Sequence, residues 1–412
     1  MIRILFALSL LFVFSCEDPV SSPDPQISKI YVCDQGSDRV VVLDATTDDL
    51  SQITAVDIDF SDTDMGMMEV PHFVAIDELN GYWFVTAFQS GYVGMYDLDE
   101  DTFISKIALG SDATPALLAI DKSNKMLYVS QMMEMGTSMP GGEDFLYSLN
   151  YSSGELVDAG GVNLTSEDII DFPAPHAISI DFNTVRGTSL LTASHSADWF
   201  SMTRLDNATI TPSAYPLSPP EEYTDDNDNG VYDEGESFID ADGDGYYDEP
   251  NFIATPDSGY RPLDVTQKDD FIFFSCLGDD IIGGQVQSWS LSNFNKKSVY
   301  EFGVSTKPWH IISSPVANEI FVVLSGSEGV DAGLSCLSYN ENGELSERWT
   351  TTDSSFDTLH GVVASSDGTR VYVSSRGNGS IYVFDALSGS LLNTVEEIGD
   401  YMSSLSGIAI TQ

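Results

Sequence analysis

Basic residues are scarce in this 412-residue chain, which has 16 Lys and Arg against 65 Asp and Glu and a formal net charge of −49. Nucleic acids are bound by basic surfaces, so this charge balance excludes a nucleic-acid-binding protein. Beyond the N-terminal segment, no run of 18 uninterrupted apolar residues occurs, which argues against a transmembrane helix. Helical periodicity is almost absent as well, and short β-branched and aromatic runs between turn residues predict an all-β chain.

Cysteine is also rare, with four residues in the chain and no Cys-x-x-Cys pair. A covalent c-type haem and a thioredoxin-type redox centre therefore find no support in the sequence. Cys33, Cys276 and Cys336 lie in strand-like runs, and three cysteines cannot all pair within one chain. We predict buried, unreactive thiols at these positions.

The fourth cysteine, Cys16, ends an N-terminal segment of a different character. Arg3 precedes a mostly apolar stretch over residues 4–14, which is too short to span a bilayer. The segment resembles a bacterial lipoprotein signal, which implies that Cys16 carries a lipid; an ordinary signal peptide cleaved nearby is the alternative. The acids after Cys16 are similar to surface-export signals of Gram-negative lipoproteins. We therefore expect a signal at residues 1–16, a tether at 17–26, and anchoring to the outer membrane or cell surface.

One short apolar phrase, written Pro-His-Phe-Val-Ala-Ile-Asp at its clearest, recurs seven times along the chain. A strand-like segment that usually contains an aromatic residue follows six of the copies. In three distant units, twelve residues separate the valine of that segment from the aspartate that closes the next segment. Repetition at intervals of about 40–50 residues is typical of four-stranded propeller blades. The copies begin at Pro71, Pro115, Pro175, Pro262, Pro308, Leu359 and Leu405.

The two ends of the chain complete one repeat. Residues 405–410 read as a first strand without a successor, and residues 30–44 as a second and third strand without a predecessor. Joining the C-terminal strand to the N-terminal strands closes an all-β, seven-bladed β-propeller of four-stranded blades over residues 27–412. The pairs Tyr31-Val32, Tyr128-Val129 and Tyr372-Val373 resemble those of YVTN-repeat (YncE-like) propellers. These belong to the wider superfamily of lactonases and nitrous-oxide-reductase N-terminal domains, and the resemblance implies a fold rather than a function.

An insertion at residues 221–252, between the fourth and fifth blades, carries a dense run of acids. A calcium loop needs oxygen ligands at positions 1, 3, 5, 7, 9 and 12 and glycine at position 6, which here is Gly230. The insertion resembles the paired calcium loops of dockerins and thrombospondin type 3 repeats, which implies calcium as a structural cofactor; a disordered acidic linker is the alternative. The first loop would use Asp225, Asn227, Asn229, Val231, Asp233 and Glu236, and the second Asp240, Asp242, Asp244, Tyr246 and Asp248.

Three of the five histidines, His72, His176 and His360, share one position at the start of the repeated phrase, where the sixth blade has Trp309. In the family that the chain resembles, this position lies beside the mouth of the central channel, so the resemblance implies a ligand-binding site there. Ligation of zinc or copper by the three rings and hydrogen bonding of each ring to the backbone are both open. The other two histidines, His195 and His310, are predicted to be structural.

Two functions are compatible with these features. A non-enzymatic binding or scaffold module would present its loops to a protein or glycan partner, because propeller faces carry many loops on a rigid frame. An enzyme or metal-centre protein, lactonase-like or redox, would instead use the channel mouth. Lactonase chemistry calls for a His/Arg pair or clustered carboxylates, and only Arg261 and Arg376 fall near channel-facing turns. We expect the binding module, anchored in the membrane by lipid and stabilised by calcium.

Overall fold

The computed structural model describes most of the chain between residues 28 and 411. The predicted signal, Cys16 and the tether lie outside the described residues, as do the candidate ligands Asn229, Val231, Asp240, Asp242, Asp244, Tyr246 and Asp248. The described residues are 28–60, 68–110, 113–132, 145–164, 174–183, 187–195, 199–205, 213–216, 223–225, 227, 232–233, 235–239, 247, 259–279, 281–292, 294–396, 398 and 403–411.

Within these residues the chain forms seven four-stranded antiparallel sheets and no helix, which confirms the predicted all-β propeller. No described helix is long and apolar enough to cross a membrane. Blade one consists of β28 (Leu405–Ile410), β1 (Lys29–Asp34), β2 (Arg39–Asp44) and β3 (Ser51–Asp57). Blade two consists of β4 (Pro71–Asp77), β5 (Tyr82–Ala87), β6 (Tyr92–Asp97) and β7 (Phe103–Ala108). Blade three consists of β8 (Pro115–Asp121), β9 (Met126–Gln131), β10 (Phe145–Asn150) and β11 (Val157–Asn163).

The other four blades repeat this order. Blade four consists of β12 (Pro175–Asn183), β13 (Gly187–Ser194), β14 (Trp199–Arg204) and β15 (Ser213–Pro216). Blade five consists of β16 (Pro262–Lys268), β17 (Phe271–Cys276), β18 (Gly284–Ser290) and β19 (Lys296–Gly303). Blade six consists of β20 (Pro308–Ser313), β21 (Glu319–Leu324), β22 (Gly333–Tyr339) and β23 (Leu345–Thr352). Blade seven consists of β24 (Leu359–Ala364), β25 (Arg370–Ser375), β26 (Ile381–Asp385) and β27 (Leu391–Val395).

The ring closes through blade one, as the two chain ends predict. Strand β28 pairs antiparallel with β1, with Ile30 opposite Ile410 and Val32 opposite Ile408. The backbone N–H of Thr411 extends the pairing by donating to the carbonyl of Lys29 at 2.9 Å. Closure in this way buries what would otherwise be two free blade edges.

Apolar clusters fill the spaces between neighbouring blades. Between blades one and two, for example, Tyr31, Trp83 and Tyr96 are fully buried, and the last two rings stack with centroids 4.0 Å apart. Burial of each such side chain contributes about 1.5–3 kcal/mol. Cys33, Cys276 and Cys336 lie in these clusters outside any disulfide, which confirms the prediction that they are buried.

The first strand of each blade lies innermost, and these inner strands contact one another around the central channel. All seven run in the same direction along it. We call the side on which they begin the entry face and the side on which they end the exit face. The acidic insertion joins β15, an outer strand, to β16, an inner strand, and therefore emerges on the entry face.

Candidate functional site

Four histidine side chains meet at the entry end of the channel. The rings of His72 and His360 lie 5.5 Å apart between centroids, those of His72 and His176 6.1 Å, and those of His310 and His360 4.9 Å. His176 and His310 are 6.3 Å apart, and Trp309 lies 5.5 Å from His360. All four imidazoles are 1–3% exposed. The structure thus brings together the three histidines predicted from the repeat, together with Trp309.

His310 is the member of this cluster that the sequence comparison missed. It lies one residue after the repeat position and was predicted to be merely structural. His310 lies in the β-bulge with which the strand begins: on the pairing of β20 with β21, Pro308 faces Leu324 and the next paired residue is Ile311, opposite Val322. The residues between them leave the regular ladder, and a bulge of this kind re-aims side chains. The ring of His310 reaches within 6.4 Å of Phe73, from blade two.

The four rings differ in the partner of Nδ1. In His176 it donates to the backbone carbonyl of Leu263 at 2.7 Å, and in His72 it meets the amide nitrogen of Gln35 at 2.8 Å. The alternative of backbone bonding therefore describes His176 alone among these described contacts. Nε2 has no hydrogen-bond partner among the described residues in His72, His176, His310 and His360, and in His360 Nδ1 has none either.

His310 is paired with a carboxylate. Its Nδ1 lies 2.9 Å from Oδ2 of Asp264, which is 9% exposed. The backbone N–H groups of Ile311 and Val265 donate to the same carboxylate, at 3.2 and 2.8 Å. These bonds hold Asp264 in place, and it in turn orients the imidazole so that Nε2 carries the free lone pair when the ring is neutral.

The Asp264–His310 pair lies at one end of a cavity of about 330 Å³ that follows the inner strands along the channel. The opposite end of the cavity reaches Glu78, Lys122 and Pro315, which follow inner strands at the exit face. Its walls between the two ends are largely aliphatic, and they include Val74, Ile178, Val265, Ile311, Val362 and Ile408. This volume is within the range of roughly 300–1,000 Å³ that is common for small-molecule pockets.

Burial keeps three rings of the cluster neutral at pH 7. Desolvation, followed by the charge of His310, lowers the pKa of His176 to about 4. Desolvation also lowers the pKa of His72 and His360 well below the usual value, and neighbouring histidines and Arg376 add to the effect. A neutral imidazole offers one N–H donor and one lone pair, so it can donate a proton, accept one or bind a polar ligand.

The fifth histidine, His195, follows β13 at the entry end and does not line the cavity. It is 3% exposed, and burial, followed by the charge of Arg261, lowers its pKa to about 3. Its backbone N–H donates to the carbonyl of Ala174 at 3.1 Å.

Residues just before five of the inner strands adopt left-handed backbone conformations. Their φ angles are 47–52°, an uncommon region for residues other than glycine and a strained one for β-branched Val70 and Thr358. Each carbonyl accepts the N–H of the residue that follows the second strand of the same blade, as Thr358 does from Arg376 at 2.9 Å. The strain is thus concentrated in a ring around the histidines. The five residues are Val70, Ala174, Arg261, Lys307 and Thr358.

The described part of the insertion contains four of the predicted calcium ligands. Nδ2 of Asn227 donates to Asp233 at 2.6 Å, and the backbone N–H of Asp233 donates to Glu236 at 2.9 Å. A stem brings the two ends of the loop together, since Tyr223 and Phe238 form a β-bridge. The fourth ligand, Asp225, adjoins this stem.

No group of three His, Cys, Asp or Glu residues that could hold a metal ion occurs among the residues described above. This finding covers the imidazole cluster and the described part of the insertion.

No protein-family model matches the sequence, and no curated protein sequence matches it either. Similarity appears among solved structures, and it concerns the fold. The periplasmic gluconolactonase of Pseudomonas aeruginosa is 14% identical with a TM-score of 0.64, over 94% of this chain and 99% of that one. A Bacteroides fragilis protein provisionally named a 6-phosphogluconolactonase is 10% identical with a TM-score of 0.64, over 96% and 100%. A protein of unknown function from Desulfotomaculum acetoxidans is 14% identical with a TM-score of 0.61, over 93% and 99%.

Proposed function

We propose that the protein is a cell-envelope β-propeller that hydrolyses an uncharged lactone or ester in its channel, with His310 as the general base. One observation carries the proposal: a carboxylate-oriented imidazole with a free Nε2 lies at the end of a cavity large enough for a small molecule. A general base must reach the proton it removes and must itself be held in position. Asp264 meets the second requirement through its two backbone hydrogen bonds.

The chemistry needs only water and the substrate. Nε2 of His310 takes a proton from water while the water oxygen bonds to the carbonyl carbon. The negative charge that develops on the carbonyl oxygen is stabilised by an N–H of His360, the ring nearest to His310. The C–O bond of the ester then breaks, and the imidazolium returns its proton to the leaving alkoxide. The product is a hydroxy acid, or an acid and an alcohol.

The cavity walls support an uncharged substrate with an apolar portion. Val74, Ile178 and Val362 offer no partner for a charged group, and a charge buried there without a partner would cost several kcal/mol. The names of two fold neighbours, a gluconolactonase and a 6-phosphogluconolactonase, support lactones as the class to test first.

Hydrolysis of a sugar δ-lactone and of an alkyl δ-lactone by the mature chain would test the proposal. We expect acceleration above the spontaneous rate, and a loss in kcat of about 100-fold or more in His310→Asn and Asp264→Asn, since a general base contributes 10²–10⁴-fold. His195→Asn is the matched control, because it changes a buried histidine that does not line the cavity. Acceleration of neither lactone would refute hydrolysis and return the protein to the class of binding modules with a protein or glycan partner. Acceleration that is unaltered in both variants would refute His310 as the general base.

We also propose that calcium binds the insertion on the entry face. The ligand spacing of the sequence supports this, and so do the contacts among Asn227, Asp233 and Glu236, which lie at positions 3, 9 and 12 of the loop. Carboxylate and amide oxygens are the ligands that Ca²⁺ prefers. The ion would stabilise the insertion, and no step of the hydrolysis uses it.

The cell-envelope location is proposed from the N-terminal sequence and is supported by the name of the periplasmic neighbour. The lipid anchor at Cys16 would tether the propeller to the membrane. Replacing Cys16 with Ala should release the protein from the membrane fraction and abolish its labelling by a radioactive fatty acid. A variant that stays in that fraction and is still labelled would contradict the anchor.

A further inference from the structure

Arg376 is a half-buried base in a chain with far more acids than bases. Several other described basic side chains are paired with a carboxylate or with backbone carbonyls. Arg376 has neither kind of partner among the described residues, and desolvation alone lowers its pKa. The paired side chains include Lys29 with Asp101, Arg39 with Asp34, Arg348 with Glu319, Arg370 with Asp48, and Lys268 with the carbonyls of Ser314 and Ala317.

The backbone of Arg376 is anchored at the entry end of the channel. It follows β25, and its N–H donates to the carbonyl of Thr358, one of the five left-handed residues. Its charge acts on both His72 and His360, whose pKa values it helps to lower after the larger effect of burial. Because Ser375 pairs with Leu359, the residue before His360, the backbone of Arg376 lies beside the start of the strand that carries His360.

Two imidazoles at the same end of the channel have hydrogen-bonding atoms without a partner in the described chain. Nε2 of His72 and both ring nitrogens of His360 are buried and have no partner there. A buried polar group left without a partner costs about 1–3 kcal/mol, so such groups indicate an absent ligand or ion. The guanidinium adds a planar fork of donors that matches a carboxylate or a phosphate.

We propose that Arg376, His360 and His72 form a binding site for a small oxyanion, a carboxylate or a phosphate, at the entry end of the channel. Lys307 and Arg261 occupy the position of Thr358 in blades six and five, and so place two further positive charges on the same ring of the entry face. Acids also lie on this face: Asp357 adjoins Thr358 and accepts its hydroxyl, Glu69 precedes Val70, and the acidic insertion joins the same side. The site goes beyond hydrolysis in the cavity, because binding here requires no turnover.

Calorimetric titration of the mature protein with D-gluconate and with inorganic phosphate would test the site and separate the two sources of the oxyanion. We expect saturable binding of at least one, weakened about 10- to 100-fold in Arg376→Gln, as expected for loss of a charge-assisted pair. Arg370→Gln is the matched control: it changes an arginine at the other end of the same strand and should bind as the wild type does. Quenching of Trp309 fluorescence, absent in Trp309→Phe, provides a second readout because that ring lies 5.5 Å from His360.

Two results separate this site from the alternatives. If Arg376 had only a structural role, Arg376→Gln would lower the melting temperature of the ligand-free protein, whereas we expect no decrease because no partner is lost. His310→Asn should retain anion binding even where it abolishes hydrolysis. The anion site and the hydrolytic function can therefore be refuted independently of each other. Absence of saturable binding to both anions, or equal affinity in Arg376→Gln and wild type, would overturn the proposal.

Discussion

The two ends of the channel differ in composition although the same seven strands line both. The entry end holds four imidazoles with unpaired nitrogens, a carboxylate and an arginine, whereas the walls toward the exit face are aliphatic. Inner strands begin with bulges that release their first side chains from the regular ladder, and then settle into regular pairing. The polar side chains thus lie where the inner strands are bulged, and the apolar side chains lie where these strands pair regularly.

Removal of residues 405–412 should have the largest effect on the free energy of unfolding. It deletes β28, the strand of blade one that lines the channel from one end to the other. The loss includes the pairing with β1 and the burial of Leu405, Ile408 and Ile410. At about 2–5 kcal/mol for each large side chain, the total is on the order of 10 kcal/mol, comparable to the stability of a whole domain. We expect no cooperative thermal transition by circular dichroism. Removal of residues 411–412 alone is the control, and similar behaviour of the two truncations would argue against closure through β28.

A charge placed in the aliphatic wall of the cavity should lower the free energy of unfolding less than loss of β28 does. It should lower it more than any change at the entry end of the channel. Val74 is 1% exposed and lines the cavity. Val74→Asp should lower the free energy of unfolding by about 3–5 kcal/mol because its carboxylate would be buried without a partner. Urea denaturation measures this, with Val74→Ala as the control for lost volume. Equal effects of Asp and Ala would mean that water reaches this wall freely.

Low pH should lower the free energy of unfolding through the buried histidines at the entry end of the channel. The pKa of His176 is about 4 in the folded protein, whereas a histidine in the unfolded chain has a pKa near 6.5. Between these two pH values the unfolded chain therefore binds more protons than the folded one. Stability is therefore complete above about pH 6.5 and is lost as the pH falls toward 4, by on the order of 3 kcal/mol for this ring. Melting temperatures between pH 7.5 and 4.5 would show it. His176→Gln should show a smaller loss over that range, and an identical loss would assign the acid sensitivity to other groups.

Chelation of calcium should have the smallest effect on the propeller itself. The insertion lies in a connection on the entry face, outside the seven sheets. We expect EDTA to lower the melting temperature by a few degrees, equivalent to about 1 kcal/mol, and added calcium to restore it. Asp225→Asn with Glu236→Gln should abolish the response. A melting temperature that ignores both EDTA and calcium would favour the disordered linker.

Much of the fold was predictable because the repeat is local. A strand phrase bounded by turn residues is recognisable wherever it recurs, and seven copies with complementary chain ends specify a closed ring. The repeat position also predicted His72, His176 and His360. It could not predict His310 or Asp264, since their contact joins two blades and the repeat describes one blade at a time.

Sequence by itself determined the β class, the number of blades, the closure by the two ends and the burial of the cysteines, because each follows from pattern and periodicity along the chain. Tertiary structure alone decided which polar groups meet. His310 contacts Asp264 across 46 residues, and the ring of His72 lies 5.5 Å from that of His360 across the ring closure, because curvature of the ring brings blades five, six, seven and two to a common axis. Proximity of that kind is a property of the closed ring, which no single repeat contains.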